Sequence, residues 1–250
     1  MLKNIREREI LNLMKAKNGF ITVKELCSEL YASESSIRRD LASLESKGNV
    51  KRTYGGAELV TNFSSVLSFN KRLHHNIDAK KIIAKKAANL VSDNSIIFLD
   101  QSTTAFYLAG ELLSKKGITV VTNNIEILSI LCTSKIRTIS SGGYLSHENR
   151  TCLVGTDAQN TFNKIYADMI FFSTKSLSDD GTISDCDPEE VAVRNVMLKN
   201  ANKRIYLCDS EKFPSRSPYL QHHIKDVDCF VCENDKANIF ASLNSNMTIM

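Results

Sequence analysis

The sequence predicts an α/β fold in two parts. A small N-terminal helix-turn-helix module ends in a basic β-hairpin, and a larger, mostly parallel sheet covered by helices follows. Three observations predict it. Two amphipathic helical stretches lie about three residues apart within the first fifty positions. The pair Gly55-Gly56 then separates two short strand-like runs. From Asn76 onward, short continuous apolar runs alternate with segments of helical periodicity.

The first helix is expected over about Ile5 to Ala16, with Ile5, Ile10, Leu11, Leu13 and Met14 as its packing side. The next opens at Thr22, whose spacing from Glu25 is that of a capping box, and turns Val23, Leu26 and Leu30 inward. The third, "SESSIRRDLASLESKG", starts after Ser33, a suitable cap for a first-turn amide, and stops near Gly48. Its apolar stripe is Ile37, Leu41 and Leu44. At about 100° per residue, Ser35, Arg39, Ala42 and Ser46 point the other way, with Arg38 and Ser36 on the flanks. That outer face is slim and basic, where an ordinary solvated face would carry long Glu and Lys side chains. Asp40 flanks the buried stripe and is expected to pair locally. The hairpin adds Lys51, Arg52 and Tyr54, which completes a winged helix-turn-helix.

A slim basic helix suits the major groove of duplex DNA, where side chains near its start reach base edges and neighbouring cations hold phosphates. Arg39 is the candidate base reader, since its fork matches guanine O6 and N7. Ser35 and Ser36 are candidates for base or phosphate contact, and Arg38, Lys51, Arg52 and Tyr54 for the surrounding backbone. The competing reading is a three-helix module for protein contacts. The charge distribution favours DNA: the first sixty residues hold 11 Lys and Arg against 8 Asp and Glu, whereas the other 190 hold 21 against 20.

Residues 58–75 show no sustained periodicity and read as a linker, with Phe63, Val66 and Phe69 as docking points. The domains expected are therefore 1–57, the DNA-binding module; 58–75, the linker; and 76–250, a sensing and oligomerising α/β domain. In the last, "SIIFLD", "ITVVTNN", "RTISSGG", "ADMIFFST", "KRIYLCDS" and "DVDCFVCEN" read as strands, and "NIDAKKIIAKKAANLV", "STTAFYLAGELL", "IEILSILC" and "PEEVAVRNVMLKNA" as helices. Open α/β sheets bind ligands beyond the carboxyl ends of their strands. The residues there are small and polar: Asp100-Gln101-Ser102-Thr103-Thr104, Thr122-Asn123-Asn124, Ser141-Gly142-Gly143 and Asp209-Ser210-Glu211-Lys212. "DQSTT" runs straight into a helix, so its amides and hydroxyls form a place for an anion, aided by Lys212 and by Lys80 or Lys81. A phosphate carrying a polyol fits this set. Helix capping and turn formation account for the same residues without a ligand.

Composition sets outer limits. The 250 residues are 42% hydrophobic and 24% charged, which is ordinary for a globular chain, and the formal net charge is +4. Seven cysteines are scattered among apolar runs and the N-terminus is charged almost at once, which reads as a cytoplasmic chain with reduced thiols. Cys229 and Cys232, joined by Cys208 and His222 or His223, offer metal-ligand types, but buried strand thiols explain them as well, and no metal or cofactor is expected. No apolar run approaches the roughly 18 residues of a membrane span.

The pattern Ser33, Ser36-Ile37-Arg38-Arg39-Asp40-Leu41, Leu44-Glu45, Gly48, Arg52 and Gly55-Gly56-Ala57 resembles the N-terminal domain of the DeoR family of bacterial transcription regulators. Ser36 stands for a usual Thr, and Tyr54 for a common His. The resemblance extends more diffusely through Lys80, Asp100 with Thr103-Thr104, Thr122-Asn123, Gly142-Gly143, Gly155 with Asp157, Glu190, and Asp209-Ser210 with Lys212. It departs at Ser102, where Gly is frequent, and at "FFSTKSL". It implies a ribose-phosphate isomerase-type sensor fold and a repressor of a sugar uptake or catabolism operon. The implied partners are an operator in double-stranded DNA, a phosphorylated sugar effector contacting Lys80, Asp100, Ser102, Thr103, Thr104, Thr122, Asn123, Gly142, Gly143 and Lys212, and further copies in a homodimer or homotetramer. The alternative is a sugar-phosphate isomerase with a DNA-binding appendage, drawing its base from Asp100, Asp179, Asp180, Asp185 or Glu190. A third is a larger domain that only oligomerises.

Overall fold

The computed structural model describes residues 3–17, 20–46, 49–53, 55–59 and 69–250. The chain divides into two compact units, Met1–Ser65 and Val66–Met250.

The first unit runs α1 (Lys3–Ala16), β1 (Phe20–Thr22), α2 (Val23–Leu30), α3 (Glu34–Ser46), β2 (Val50–Thr53) and β3 (Gly56–Leu59). Thr22 caps α2 as expected: its hydroxyl accepts from the Glu25 amide, and the Glu25 carboxylate accepts from the Thr22 amide at 2.9 Å. The Thr22 hydroxyl, which donates to the same carboxylate at 2.7 Å, then the Thr22 amide and Lys17, hold the Glu25 pKa down to about 2. Ile37, Leu41 and Leu44 are buried with Ile10, Met14, Val23, Leu26 and Val50. Ile5 is the exception among the expected core residues, at 42% exposed. It lies five positions before Ile10, about 140° round the helix, so the face set by Ile10 and Met14 leaves it outside. The small strand β1 was not anticipated, because three residues carry no period. It pairs with β3, and β3 pairs with β2, both antiparallel. The close approach explains one glycine of the pair: a Cβ on Gly56 would lie 2.5 Å from the Ile21 carbonyl oxygen. Tyr54, Gly48, Phe63 and Val66, each given a role above, lie outside the described residues.

The second unit opens with α4 (Phe69–His74), inside the stretch read as linker. One buried residue anchors this short helix: Phe69 packs edge-on against Phe106, ring centres 5.8 Å apart. Then come α5 (Ile77–Ala88), β4 (Ile96–Leu99), α6 (Thr103–Glu111), β5 (Thr119–Thr122), α7 (Ile125–Leu131) and β6 (Arg137–Ser140). After them follow β7 (Tyr144–Leu145), β8 (Leu153–Val154), α8 (Thr156–Asn163), β9 (Ala167–Phe172), β10 (Ser176–Leu177), β11 (Thr182–Asp185) and α9 (Pro188–Lys199). The unit closes with β12 (Ala201–Leu207), β13 (Tyr219–His223), β14 (Cys229–Val231) and β15 (Thr248–Ile249).

Seven strands form one parallel sheet in the order β15-β14-β12-β9-β4-β5-β6. The chain starts at β4, lays β5 and β6 to one side, and returns to build β9, β12, β14 and β15 on the other. The order reverses between β4 and β9. Alternate residues feed two cores: Phe98 joins Phe162, Val193 and Tyr206 on one face, while Ile97 and Leu99 join Ile83, Leu108 and Ile127 on the other. Beside this sheet stand the hairpin β7-β8 and a three-stranded antiparallel sheet β10-β11-β13, neither anticipated. Their strands have two to five residues, too few to carry a pattern among Ser, Asp and Gly. Cys229 and Cys232 fall into the two opposite cores, and among the described residues no group of three or more His, Cys, Asp and Glu is placed to hold a metal.

Candidate functional site

The outer face of α3 is open. Ser35, Arg38 and Arg39 are exposed, and Ser36 is half-buried. The Ser33 carbonyl starts the helix by accepting from the amides of Ser36 and Ile37, whereas its hydroxyl pairs with those of Ser35 and Ser36 rather than with an amide. Arg39 Nε donates to the Ser35 carbonyl at 3.3 Å, a long bond that leaves the guanidinium directed along the exposed face. Arg38 is matched one turn back by Glu34 at 2.6 Å. Lys51 and Arg52 are exposed on β2, and Arg52 Nε donates to Glu45 of α3 at 2.6 Å. The Arg52 amide and guanidinium together lower the Glu45 pKa. Asp40 is buried against Arg6, as its place beside the apolar stripe implied.

In the larger unit, the carboxyl ends of β4, β9 and β12 converge on a chain of hydrogen bonds. Asp100, fully buried, accepts from the Ser102 amide at 3.1 Å, the Ser173 amide at 3.0 Å and Arg194 Nε at 3.1 Å. Ser173 Oγ accepts from Lys212 Nζ at 2.7 Å, and Lys212 also lies 3.5 Å from Asp209. Lys80, on the first turn of α5, is buried and donates to the carbonyls of Arg72 and His75. Burial, then the nearby Lys212 charge, push its pKa down to about 8. Burial opposes ionisation of Asp209, but Lys212, Asn76 and Lys80 outweigh it and lower its pKa.

Ser102 caps α6, its hydroxyl accepting from the Ala105 amide at 3.1 Å, and Thr103 and Thr104 form the first turn. Thr122 and Asn123 stand beside this turn, because Leu99 pairs with Thr122 in the sheet. Asn123 Nδ2 donates to the Leu153 carbonyl, and Asn124 caps α7. Gly142 and Gly143 sit at the end of the edge strand β6, exposed and with positive φ, two strands from β4. Lys80, Lys212, Asp100 and Ser102 are thus drawn together, Thr103 and Thr104 on the first turn of α6 and Thr122 and Asn123 at the adjoining strand end stand beside them, and the two glycines lie two strands from β4.

Sequence reasoning missed the centre of this region. Arg194 is fully buried and reaches Asp185 at 3.0 Å, Gln221 Oε1 at 2.6 Å and Glu190 at 4.0 Å, besides Asp100. Glu190 also accepts from Gln101 Nε2 and Asn149 Nδ2, each at 2.7 Å. Burial raises the Glu190 pKa, with Asp185 adding to the rise and Arg72 and Arg194 opposing it. A signal existed: in "EEVAVRNVMLK" the arginine sits among inward-facing Val191, Val193 and Met197, four residues after a glutamate. Four buried polar atoms at the ends of β4 and β5 have no partner among the described residues: Gln101 Oε1, Thr104 Oγ1, Asn123 Oδ1 and Asn124 Nδ2. Two surface grooves lie elsewhere: 360 Å³ along Ile82, Phe106 and Ile130, and 600 Å³ along Lys115, Lys116 and Lys135.

Two family models match the chain: a DeoR-like helix-turn-helix domain over residues 6–63, and a DeoR C terminal sensor domain over residues 75–234. Among similar proteins, the HTH-type transcriptional regulator GolR of Listeria innocua is 33% identical over 92% of this chain and 90% of its own. The lactose phosphotransferase system repressor of Lactococcus lactis is 30% identical over 94% and 92%. The HTH-type transcriptional repressor GlcR of Bacillus subtilis is 30% identical over 94% and 90%. Among solved structures, eIF2B delta from Chaetomium thermophilum covers 82% of this chain and 65% of its own with a TM-score of 0.50 at 12% identity, a likeness of fold alone. Ribose 5-phosphate isomerase A from Methanocaldococcus jannaschii covers 55% and 54% with a TM-score of 0.42 at 17% identity. Relatives matched along nearly the whole chain are transcriptional regulators, which does not favour the isomerase reading.

Proposed function

The chain belongs to the DeoR family of transcriptional regulators, and we propose that it represses a sugar uptake or catabolism operon until a phosphorylated sugar occupies the crevice of its larger unit. Residues 1–57 bind the operator, 58–75 link, and 76–250 sense the effector and assemble the protein as a homodimer or homotetramer in the cytoplasm. Two relatives named as repressors, one of a lactose phosphotransferase system, support the sign and the class of operon.

One observation carries the effector reading: the unbroken chain Lys212–Ser173–Asp100–Ser102, which ties a cation to the opening turn of a helix. Ser102 satisfies the Ala105 amide, which leaves the amides of Thr103 and Thr104 for an external anion. Asp100 is occupied by two amides and a guanidinium, so it shapes the turn rather than gripping the ligand. On DNA, Arg39 reads a base, Ser35 and Ser36 contact bases or phosphates, and Arg38, Lys51, Arg52 and Tyr54 hold the backbone. The effector releases DNA only to the extent that it binds one assembly state better than the other. Among the described residues no helix is long and apolar enough to cross a membrane.

A gel shift on the protein's own promoter region, with and without sugar phosphates, tests this. Arg39→Ala abolishes sequence-specific retention, and Lys51→Ala weakens binding to all duplexes and reduces the salt slope by about one unit. A footprint that neither substitution changes removes the groove assignment.

A further inference from the structure

Gln101 follows Asp100 at the end of β4 and is 1% exposed. Its amide orientation is dictated from outside. Nε2 donates to Glu190 Oε2 at 2.7 Å, and the other Glu190 oxygen takes Asn149 Nδ2 at 2.7 Å. A carboxylate only accepts, so an amide beside it must offer its NH2 group. Arg194, 4.0 Å from the same carboxylate, favours its charged form against the burial and the Asp185 charge that oppose it. The Gln101 carbonyl oxygen therefore faces away from Glu190, and there it meets no donor among the described residues. Turning the amide over would set two oxygens against each other.

A buried acceptor without a donor is costly, and so is a discriminating contact when a ligand supplies the donor. The neighbours extend the pattern. Thr104 Oγ1, on the first turn of α6, and Asn123 Oδ1, at the end of the adjoining strand, are also buried without partners among the described residues. The anion-binding groups beside them are all donors: first-turn amides and lysine ammonium groups. A ligand satisfying both sets carries an anionic group and, next to it, groups that donate hydrogen bonds.

We propose that Gln101 is a specificity-determining residue of the crevice, whose fixed Oε1 accepts a hydrogen bond from a hydroxyl of the effector close to its phosphate. The site then admits polyol phosphates carrying that hydroxyl and rejects those that lack it. This rests on the reading of the crevice as a sugar-phosphate site. Glu190 acts here as a positioning residue, because it sets which end of the Gln101 amide points outward.

The test is isothermal titration of the full chain with inorganic phosphate, ribose 5-phosphate, glucose 6-phosphate and fructose 6-phosphate. The tightest of the three sugar phosphates is then compared with its monodeoxy analogues on the natural protein, Gln101→Met and Glu190→Gln. The natural protein binds one analogue tenfold or more weakly than the parent, roughly the loss from one unpaired buried acceptor. In Gln101→Met that ratio collapses toward one. In Glu190→Gln it falls in part, because a glutamine offers either end to its neighbour. The ratio, unlike the affinity itself, cancels general damage to the site. If the parent binds and Gln101→Met preserves every ratio, Gln101 reads nothing and the inference falls while the phosphate reading stands. If neither inorganic phosphate nor any sugar phosphate binds the natural protein, both fall. If Gln101→Met does not fold, the Glu190→Gln ratio decides: unchanged discrimination overturns the proposal.

Discussion

Replacing Arg194 with methionine removes the buried cation that faces three carboxylates. Their side-chain exposures are 0% for Asp100, 4% for Glu190 and 11% for Asp185, against 1% for the arginine. Removing one member of such a network leaves uncompensated buried charge, which costs about 3–5 kcal/mol. Methionine fills much of the vacated volume, so the cavity contribution is small. Other donors soften the loss: Asp100 keeps two amides, Asp185 keeps the Cys186 amide and Glu190 keeps two side-chain amides. The lower end of that range is therefore expected. In a unit of this size each kcal/mol moves the melting point by about 2–4 °C, so the larger unit melts roughly 6–12 °C earlier near neutral pH. The deficit also has a sign with pH. Burial and Asp185 already raise the Glu190 pKa and Arg194 opposes the rise, so without the guanidinium Glu190 sits further above its unfolded value and the folded state binds more protons between the two. Stability then falls as pH rises and recovers as pH falls, and the gap to the natural protein narrows from pH 7.5 to pH 5. Scanning calorimetry of the full chain at both pH values measures it. A melting point within about 2 °C of the natural protein at pH 7.5, or a gap that does not narrow at pH 5, refutes the charge argument.

Three further outcomes follow from the geometry. Lys80, its pKa lowered to about 8 by burial and by Lys212, loses charge as pH rises through that value. Affinity for inorganic phosphate, measured by titration calorimetry, should fall more steeply between pH 7.5 and 9 than in Lys80→Met, and parallel slopes would remove Lys80 from the site. Glu45→Gln frees Arg52 from its carboxylate, so retention on non-specific duplex at low salt should rise roughly two- to fivefold; equal retention would mean that Arg52 does not approach phosphate. Asp40→Asn weakens the buried pair with Arg6 and should cost the small unit about 1.5–3 kcal/mol, read as faster hydrogen exchange in α1 and α3. Unchanged protection there would make the pair incidental.

The readable parts of the sequence are those where one element carries its own pattern. Ile37, Leu41 and Leu44 mark α3 unaided, the Thr22–Glu25 spacing marks the start of α2, and the runs at Ile96–Leu99 and Thr119–Thr122 end in polar residues that mark the strand ends. What stayed hidden depends on residues remote in sequence. Asp100 is 94 positions from Arg194, and Gln221, another of the arginine's partners, sits on a five-residue strand whose exposed Tyr219 and Leu220 blur any alternation. The helical period in "VAVRNV" puts the arginine on the inward side, but the partners that make a buried charge tolerable there arrive only with β4, β11 and β13. Gln101 is hidden for the same cause. In "DQSTT" it reads as one more polar turn residue until Glu190 is seen to fix its amide.

The basic face shows a related economy of charge. Arg38 and Arg52 are each engaged by a carboxylate, Glu34 and Glu45, whereas Arg39 rests on a carbonyl at 3.3 Å and Lys51 is exposed. Pairs this exposed are worth at most about 1 kcal/mol, so a phosphate displaces the carboxylate at little expense. Until then the carboxylates halve the excess positive field and hold two long side chains in one place. Of the four cations, Arg39 and Lys51 therefore meet DNA without first breaking an ion pair, and Arg38 and Arg52 engage by exchange. Binding should accordingly depend on salt less steeply than four free cations would give, since the exchanging pairs release fewer counterions.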